Sequence, residues 1–244
     1  MSSWTGKRYW LVGASEGLGR AVAEEMSRRG AHLILSARNA DRLAELADSL
    51  PGPAEVVPVD IADRASVEAA AAQAGRIDGV VFLAGVYWPQ GADKWVASEV
   101  EAMCDINFTG AARVVGAVIG DMVARNGGHI VLTGSLSGFR GLPGAIGYAA
   151  SKAGVMALAE SMQCDLRKTG VRVQVANPGF IRTRLTEKND FSMPFIMDPD
   201  QAARIMVDFM ETRRFKISFP RLFSLVFRGS QFLPDALYFR LFGA

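Results

Sequence analysis

Three glycines, Gly13, Gly17 and Gly19, separate a short apolar run from a segment with helical spacing, and they constrain the fold more than any other feature of the sequence. Residues 9–12 are typical of a buried strand, and residues 17–29 have the spacing of a helix that packs on one face. Glycine lets the chain turn tightly and lets another group approach its backbone closely. The GxxxGxG spacing differs from the common GxGxxG fingerprint. The sequence therefore predicts a strand–loop–helix unit with phosphate-binding potential at the helix N-terminus.

The alternation of apolar runs and helical segments continues along the chain. Further strands are predicted at residues 32–35, 55–59, 79–83, 129–133, 171–176 and 215–219, and further helices at 41–50, 63–73, 94–125, 147–168 and 198–211. The run Val80, Val81 and Phe82 lacks polar alternation, which is typical of strands covered on both faces. We expect an α/β fold, a three-layer, Rossmann-like doubly wound sheet, mainly parallel, of about seven strands with helices on both faces.

Charge and cysteine usage exclude several classes of function. The formal net charge of +2 provides no field that would attract nucleic acid. Cys104 and Cys164 are far apart and lack the spacing of metal ligands, so neither a metal site nor a disulfide framework is predicted. Residues 1–7 contain no apolar stretch of signal-peptide length, and we expect a cytoplasmic protein.

The end of the second predicted strand bears on which dinucleotide the glycine loop would bind. An acidic residue usually binds the ribose hydroxyls of NAD at this point, but the sequence has Ser36-Ala37-Arg38. A guanidinium suits the 2′-phosphate of NADP(H), and the Ser15 hydroxyl is expected to add a further bond. The alternative is that Arg38 is only a solvated residue ahead of a helix. The sequence predicts NADP(H) in preference to NAD(H).

Tyr148 and Lys152 lie four residues apart in a predicted helix, which places both side chains on one face. A free tyrosine has a pKa of about 10, and a nearby positive charge favours the phenolate. We therefore expect Lys152 to lower the pKa of Tyr148. Ser135 follows the fifth strand, where side chains line the ligand crevice of a parallel sheet. The alternative is a pair of residues on a solvated helix face.

The order of these motifs resembles that of the short-chain dehydrogenase/reductase family from residue 7 to about residue 219. The matching motifs are the loop 13–19, Asp60, Ala84-Gly85, Asn107, Ser135, Tyr148 with Lys152, and Asn177-Pro178-Gly179 followed by Thr183. The sequence departs from the family pattern at Val12, often threonine, and at Phe82-Leu83, often two asparagines. We expect a single domain over residues 1–244, with a dinucleotide-binding and catalytic core at 7–183, a substrate loop or lid at 184–214 and an apolar C-terminal extension at 215–244.

The resemblance also implies a role for each catalytic residue. Tyr148 would give a proton to a carbonyl oxygen as hydride arrives from the nicotinamide, and Ser135 would hold that oxygen. Lys152 would bind the nicotinamide ribose, and Asn107 would position a water that links Lys152 to solvent. The implied cofactor contacts are Gly13, Ser15, Glu16, Gly17, Leu18, Gly19, Arg38, Asp60, Ile61, Ala84, Gly85, Tyr148, Lys152, Pro178, Gly179, Ile181 and Thr183.

Apolar residues after the strand ends predict a hydrophobic carbonyl compound or secondary alcohol as substrate, such as a ketone or a 3-oxoacyl compound. The predicted substrate contacts are Tyr87, Phe139, Leu142, Ile146, Phe191 and Met193, with Phe195 and Met197 as further candidates. The alternative is that several of these side chains only pack the lid and do not contact a substrate. The predicted activity is that of an NADP(H)-dependent oxidoreductase, and the alternative is an NADP(H)-binding sensor or a membrane-associated interaction protein without turnover.

The C-terminal extension is apolar but is interrupted by Arg221, Arg228, Arg240 and two prolines. These interruptions leave it short of the roughly 20 apolar residues of a spanning helix. We expect it to cover the substrate pocket or to join a homo-oligomer, a dimer or tetramer, and as the second alternative to contact a membrane surface peripherally as an amphipathic helix.

Overall fold

A seven-stranded parallel sheet forms the middle layer of the structure, a computed structural model that describes residues 4–243. Its strands are β1 (Arg8–Val12), β2 (His32–Ser36), β3 (Ala54–Val56), β4 (Gly79–Phe82), β5 (Gly128–Thr133), β6 (Val171–Pro178) and β7 (Lys216–Phe219). Their spatial order is β3-β2-β1-β4-β5-β6-β7, and each neighbouring pair is parallel. The order reverses between β1 and β4, where a doubly wound sheet opens a ligand crevice. The predicted fold class is confirmed.

Helices cover both faces of the sheet. They are α1 (Gly17–Arg28), α2 (Ala40–Ser49), α3 (Arg64–Ala74), α4 (Ala97–Cys104), α5 (Gly110–Ala124), α6 (Ile146–Leu166), α7 (Pro199–Met210), α8 (Arg221–Ser230) and α9 (Asp235–Phe242). Buried side chains of α3, α5 and α6 pack on one face of the sheet. Those of α1, α2 and α7 pack on the other face. Apolar strands are therefore shielded from water on both sides, as their composition predicted.

The predicted helix at residues 94–125 and the predicted strand at 55–59 differ from the structure. Helical structure begins with a short turn at Ala92–Lys94, and a π turn at Asp105–Thr109 then joins α4 to α5. The span Ala97–Ala124 is long and apolar enough to cross a membrane, but α5 buries one side of it in the core of the domain. β3 ends at Val56, although Val59 N–H still donates to the Ala37 carbonyl.

The C-terminal extension folds over the segment that follows β5. Arg140 donates to the carbonyls of Ser230 and Leu233, at 2.6 and 2.8 Å, and pairs with Asp235 at the start of α9. The Arg140 guanidinium also lies 3.9 Å from the centre of the Tyr238 ring. Tyr238 in turn donates its hydroxyl proton to the Gly141 carbonyl. One half-buried arginine thus holds both tail helices against residues 138–142.

A buried histidine joins β5 to β1 and β6 near the amino ends of these strands, opposite the crevice. His129 Nδ1 lies 2.8 Å from the Tyr9 hydroxyl and 2.9 Å from an Arg172 guanidinium nitrogen, both of which are donors. Its Nε2–H therefore donates to Gln174 Oε1, at 2.7 Å. Burial, aided by the Arg172 charge, lowers the pKa of His129 to about 3. The imidazole is neutral in the folded protein.

We expect this histidine to make the fold sensitive to acid. In the unfolded chain His129 binds a proton below pH about 6.5, whereas the folded state resists protonation down to pH about 3. The free energy of unfolding should therefore fall by about 1.4 kcal/mol per pH unit as the pH drops through this window. Urea denaturation from pH 4 to 7 measures this slope. His129→Gln should remove that contribution and His32→Gln should keep it, and equal slopes in both variants would contradict the assignment.

Candidate active site

A crevice of about 530 Å³ opens at the carboxyl ends of β1 and β4, where the strand order reverses. Its walls come from the glycine loop, the ends of β2, β4, β5 and β6, the start of α6 and residues 183–186. Every residue predicted to contact the cofactor lines it: Gly13, Ser15, Glu16, Gly17, Leu18, Gly19, Arg38, Asp60, Ile61, Ala84, Gly85, Tyr148, Lys152, Pro178, Gly179, Ile181 and Thr183. The parallel sheet brings these distant segments to one edge.

The glycine loop is shaped by close backbone contacts. Gly13 has φ of 96°, and a Cβ at this position would overlap the backbone of Ala84 after β4. A Cβ at Gly19 would overlap the Gly13 carbonyl, so the first turn of α1 lies directly on the loop. Across the crevice, a Cβ at Gly17 would lie 3.0 Å from the Thr183 methyl group. At each of these three positions a side chain would therefore crowd neighbouring atoms, which explains why glycine is present.

The residues present fit a dinucleotide. Residues 17–19 form the first turn of α1, whose free N–H groups favour a pyrophosphate. The Thr133 hydroxyl is buried at the end of β5, lines the crevice and has no hydrogen-bond partner in the part of the chain that the structure describes. This hydroxyl can therefore hydrogen-bond a ligand that occupies the crevice.

Backbone bonds replace the two asparagines that the family often has after β4. The N–H groups of Leu83 and Ala84 both donate to the Val12 carbonyl, at 2.8 and 3.0 Å. On the other side of β1, Trp10 Nε1 donates to Ser36 Oγ at 2.8 Å. The strands around the crevice are therefore tied together despite the departures at Val12 and Phe82-Leu83.

Charged residues surround the end of the crevice next to β2. Arg38 is exposed and has no hydrogen-bond or ion-pair partner among residues 4–243. Glu16 accepts from Arg42 at 2.8 Å and from Arg184 at 3.0 Å, so its carboxylate joins α2 to the start of the lid. Neither arginine was among the predicted cofactor contacts. The spacing of four between Arg38 and Arg42 could have indicated the first, because α2 begins at Ala40.

The side chains of Tyr148, Lys152 and Ser135 meet at the other end of the crevice. Lys152 is buried, and its Nζ donates to the Thr133 carbonyl at 2.9 Å. The same nitrogen lies 5.7 Å from the centre of the Tyr148 ring. Ser135 accepts a bond from the Ser137 N–H at 3.1 Å and also hydrogen-bonds Tyr148. Of the predicted catalytic residues, Ser135 is therefore hydrogen-bonded to Tyr148, and Tyr148 and Lys152 lie on one face of α6.

The pKa of Tyr148 moves in the direction opposite to the predicted one. Burial raises it to about 12, and the hydrogen bond with Ser135 only partly offsets this rise. Burial also lowers the pKa of Lys152 to about 8. The expected lowering of the Tyr148 pKa is therefore not met in this structure, where burial is the largest cause of the shift and the Lys152 charge is not among its causes. At neutral pH Tyr148 is a phenol with a proton to donate, and Lys152 is mostly charged.

Asn107 lies in the π turn between α4 and α5, fully buried. Its Oδ1 accepts from the Val86 N–H at 2.8 Å, and its Nδ2 donates to the Val86 carbonyl and to Ser151 Oγ, both at 3.0 Å. Ser151 in turn donates to the Tyr148 carbonyl at 2.8 Å. The side chain thus fixes residue 86 against α6. Its role in holding a water stays a prediction.

The predicted substrate contacts separate into different places. The Tyr87 ring lies against Tyr148, with 5.0 Å between ring centres. Phe139, Leu142 and Ile146 instead line a second, apolar pocket of about 480 Å³ that α9 helps to enclose. Ala149 and Ala153 face this second pocket, whereas Tyr148 and Lys152 face the crevice, because neighbouring residues of α6 point in different directions. The residues predicted to form one substrate site therefore belong to two separate places, the crevice and the second pocket.

The lid carries the remaining predicted contacts. Phe191 and Phe195 are exposed, and their rings contact those of Phe180 and Phe223, at 5.9 and 5.5 Å between ring centres. Met193 accepts a weak bond from Asn189 through its sulfur. Met197 is buried in the core, where the backbone bonds it to Phe180 and Arg182. The structure therefore assigns Met197 to packing.

A family model described as short chain dehydrogenase matches residues 7–192. The chain belongs to the short-chain dehydrogenase family and is an oxidoreductase. It is similar to an uncharacterized oxidoreductase of Myxococcus xanthus (strain DK1622), with 37% identity over 235 residues that cover 93% of each protein.

Two solved structures are similar over most of the chain. A short-chain dehydrogenase from Sphingobium yanoikuyae in complex with NADPH is 28% identical, covers 91% of both chains and has a TM-score of 0.83. A short-chain dehydrogenase/reductase from Burkholderia phymatum in complex with NAD has a TM-score of 0.86, with 93% of this chain and 94% of that chain covered. At 24% identity the second likeness shows the fold alone.

Proposed function

We propose that the protein transfers hydride between NADP(H) and a hydrophobic carbonyl compound, with Tyr148 as the proton donor. The observation that carries this proposal is the meeting of a protonated Tyr148, a buried Lys152 and Ser135 at the end of a dinucleotide-shaped crevice. The similar structure in complex with NADPH supports a nicotinamide cofactor. The bound cofactor supplies or accepts the hydride, which no side chain of this site can do.

Each residue of the chain has a defined task in this proposal. Ser135 and Tyr148 hold the carbonyl oxygen, and the Tyr148 hydroxyl delivers the proton that the oxygen takes up. The Lys152 ammonium stabilises the phenolate that remains and binds the cofactor ribose. Asn107 positions Tyr148 through Ser151. The glycine loop holds the pyrophosphate, and Ile181 and Thr183 border the nicotinamide end.

An apolar substrate is favoured by the residues beside Tyr148. The Tyr87 ring forms one wall, and Phe180 with the exposed Phe191 and Phe195 forms an aromatic lid beyond residues 178–179. We propose a ketone, a 3-oxoacyl compound or the corresponding secondary alcohol as the substrate class. A screen of these three classes with both cofactors tests the proposal. Consumption of NADPH with apolar ketones or 3-oxoacyl thioesters is expected, and tight NADPH binding without turnover on any of them would instead favour a sensor.

The preference for NADP(H) depends on Arg38. Its guanidinium is unpaired within the described part of the chain and lines the crevice at the end of β2, where a 2′-phosphate would add two negative charges. Arg38→Ala should raise the Kd of NADPH roughly 30- to 100-fold, because a charge-assisted pair is lost, and should change the Kd of NADH less than about threefold.

Fluorescence titration with each cofactor measures both constants. Arg204→Ala is the matched control, since Arg204 is an exposed arginine of α7 that does not line the crevice. It should leave both constants unchanged. Equal losses for NADPH and NADH in Arg38→Ala would refute the role of Arg38 in cofactor choice.

A further inference from the structure

Helix α8 turns its largest aliphatic side chains away from the protein. Ser224 and Ser230 are the buried residues of this helix. Leu222, Leu225 and Val226 are 73%, 58% and 49% exposed. A surface helix of a soluble domain normally shows the reverse pattern, with an apolar stripe inward and polar residues outward. The outward face of α8 is therefore built to contact something other than water.

The exposed apolar surface continues beyond α8. Phe232, in the turn between α8 and α9, is 88% exposed, and α9 exposes Phe239 and Leu241. Inside, Arg140 and Tyr238 hold both helices in place, so this exposure is not the result of a detached tail. Single exposed apolar residues are ordinary, but a run of this length marks an interaction surface.

The charges on this surface have one sign. Arg221, Arg228 and Arg240 are exposed and have no ion-pair partner among the residues that the structure describes. Asp235 is the only acidic residue at positions 220–243, and Arg140 already pairs with it. The outward surface of α8 and α9 therefore combines aliphatic and aromatic groups with uncompensated guanidinium groups.

We propose that α8 and α9 dock the protein on the surface of an anionic lipid bilayer. Leucine and phenylalanine side chains enter the boundary between headgroups and acyl chains, while arginines bind the anionic headgroups. A second copy of the chain is a poorer partner for this surface. A two-fold contact would bring the arginines of one copy against those of the other, and the one carboxylate of residues 220–243, Asp235, is already paired with Arg140.

The docking surface is continuous with the lid of the candidate active site. Phe223 on the inner side of α8 contacts Phe195 and Phe180, at 5.5 and 5.8 Å between ring centres, and Phe227 contacts Phe223 at 5.0 Å. Phe180 follows the residues that border the crevice. Docking through α8 would therefore hold the aromatic lid next to the bilayer.

Sedimentation of the full-length protein with extruded vesicles tests the proposal without any substrate, so its result does not depend on turnover. One set of vesicles contains phosphatidylcholine alone. The other contains phosphatidylcholine with about 30 mol% phosphatidylserine, which gives the vesicles roughly the negative surface charge of a cytoplasmic membrane leaflet. Binding to the anionic vesicles is expected, with weaker binding at high salt. Replacing Arg221 and Arg228 by glutamine should weaken it roughly 25-fold, at about fivefold for each arginine.

Replacing Leu222, Leu225 and Val226 by serine should weaken binding more than about 50-fold, because several buried methylene groups are lost. Arg204→Gln and Val123→Ser are the matched controls, since both residues are exposed on other helices, and both should bind as wild type does. Circular dichroism and NADPH binding check that each variant is folded. Wild-type protein that ignores anionic vesicles, or an oligomer that the serine variant dissociates, would overturn the proposal.

Discussion

Replacing Tyr148 by phenylalanine should lower kcat by roughly 100- to 10,000-fold, the range over which a positioned general acid accelerates a reaction. The ring, its contact with Tyr87 and the packing of α6 all persist in this variant, and only the hydroxyl is lost. The carbonyl oxygen then loses its proton donor, because the aliphatic hydroxyl of Ser135 is a much weaker acid than a phenol and Lys152 Nζ donates to the Thr133 carbonyl. The Kd of NADPH should change less than about threefold, since the phenol contributes one neutral hydrogen bond.

Steady-state rates and cofactor titration on the same preparation measure the two effects separately. Tyr238→Phe is the matched control, because it also removes a tyrosine hydroxyl, one that bonds the Gly141 carbonyl at the C-terminal extension. That variant should keep a near wild-type kcat. Retained turnover in Tyr148→Phe would remove Tyr148 from the mechanism.

Removing the charge of Lys152 should lower the rate about as much as removing the Tyr148 hydroxyl does. It should also change how kcat/KM for NADPH depends on pH. Burial lowers the pKa of Lys152 to about 8 from its ordinary 10.5, so the ammonium is present below pH 8 and is lost as the pH rises through that value. The value of kcat/KM for NADPH, which reports the free enzyme, should therefore fall above pH about 8. The phenol does not contribute to this fall, because burial raises the pKa of Tyr148 to about 12.

Lys152→Met keeps most of the side-chain volume without the charge. Its rate should be at least roughly 100-fold lower at pH 7, because the charge that stabilises the phenolate is absent. The remaining rate should show no step near pH 8. Lys168→Met, which changes an exposed lysine just after α6, is the control and should keep the step. A step that persists in Lys152→Met would assign the titration to another group.

The sheet and the crevice were predictable because they depend on patterns that the sequence displays directly. Unbroken apolar runs such as Val80, Val81 and Phe82 require cover on both faces, which leads to a parallel doubly wound sheet. In such a sheet, residues after β1, β2, β4, β5 and β6 meet at one edge, so Gly13, Arg38 and Ser135 could be placed near a common site.

The properties that the sequence analysis predicted incorrectly depend on packing in three dimensions. The pKa of Tyr148 is governed by burial, and no pattern around residues 148–152 reports how deeply α6 encloses the pair. Phe139 and Ile146 face a second pocket because α9 folds back over them, held by Arg140, a contact between residues more than 90 positions apart. The two partners of Glu16, Arg42 in α2 and Arg184 in the lid, come together only when the chain has folded around the crevice.

Transfer of deuterium from NADPH labelled at C4 of the nicotinamide to a carbonyl substrate tests the central claim most directly. The protein is incubated with each stereospecifically labelled form of NADPH and a ketone or 3-oxoacyl thioester found in the screen, and the product is examined by mass spectrometry. We expect one labelled form, and not the other, to give an alcohol with deuterium on the former carbonyl carbon, and we expect Tyr148→Phe to give none. An unlabelled alcohol with both forms, or no alcohol although NADPH is bound, would contradict hydride transfer at this site.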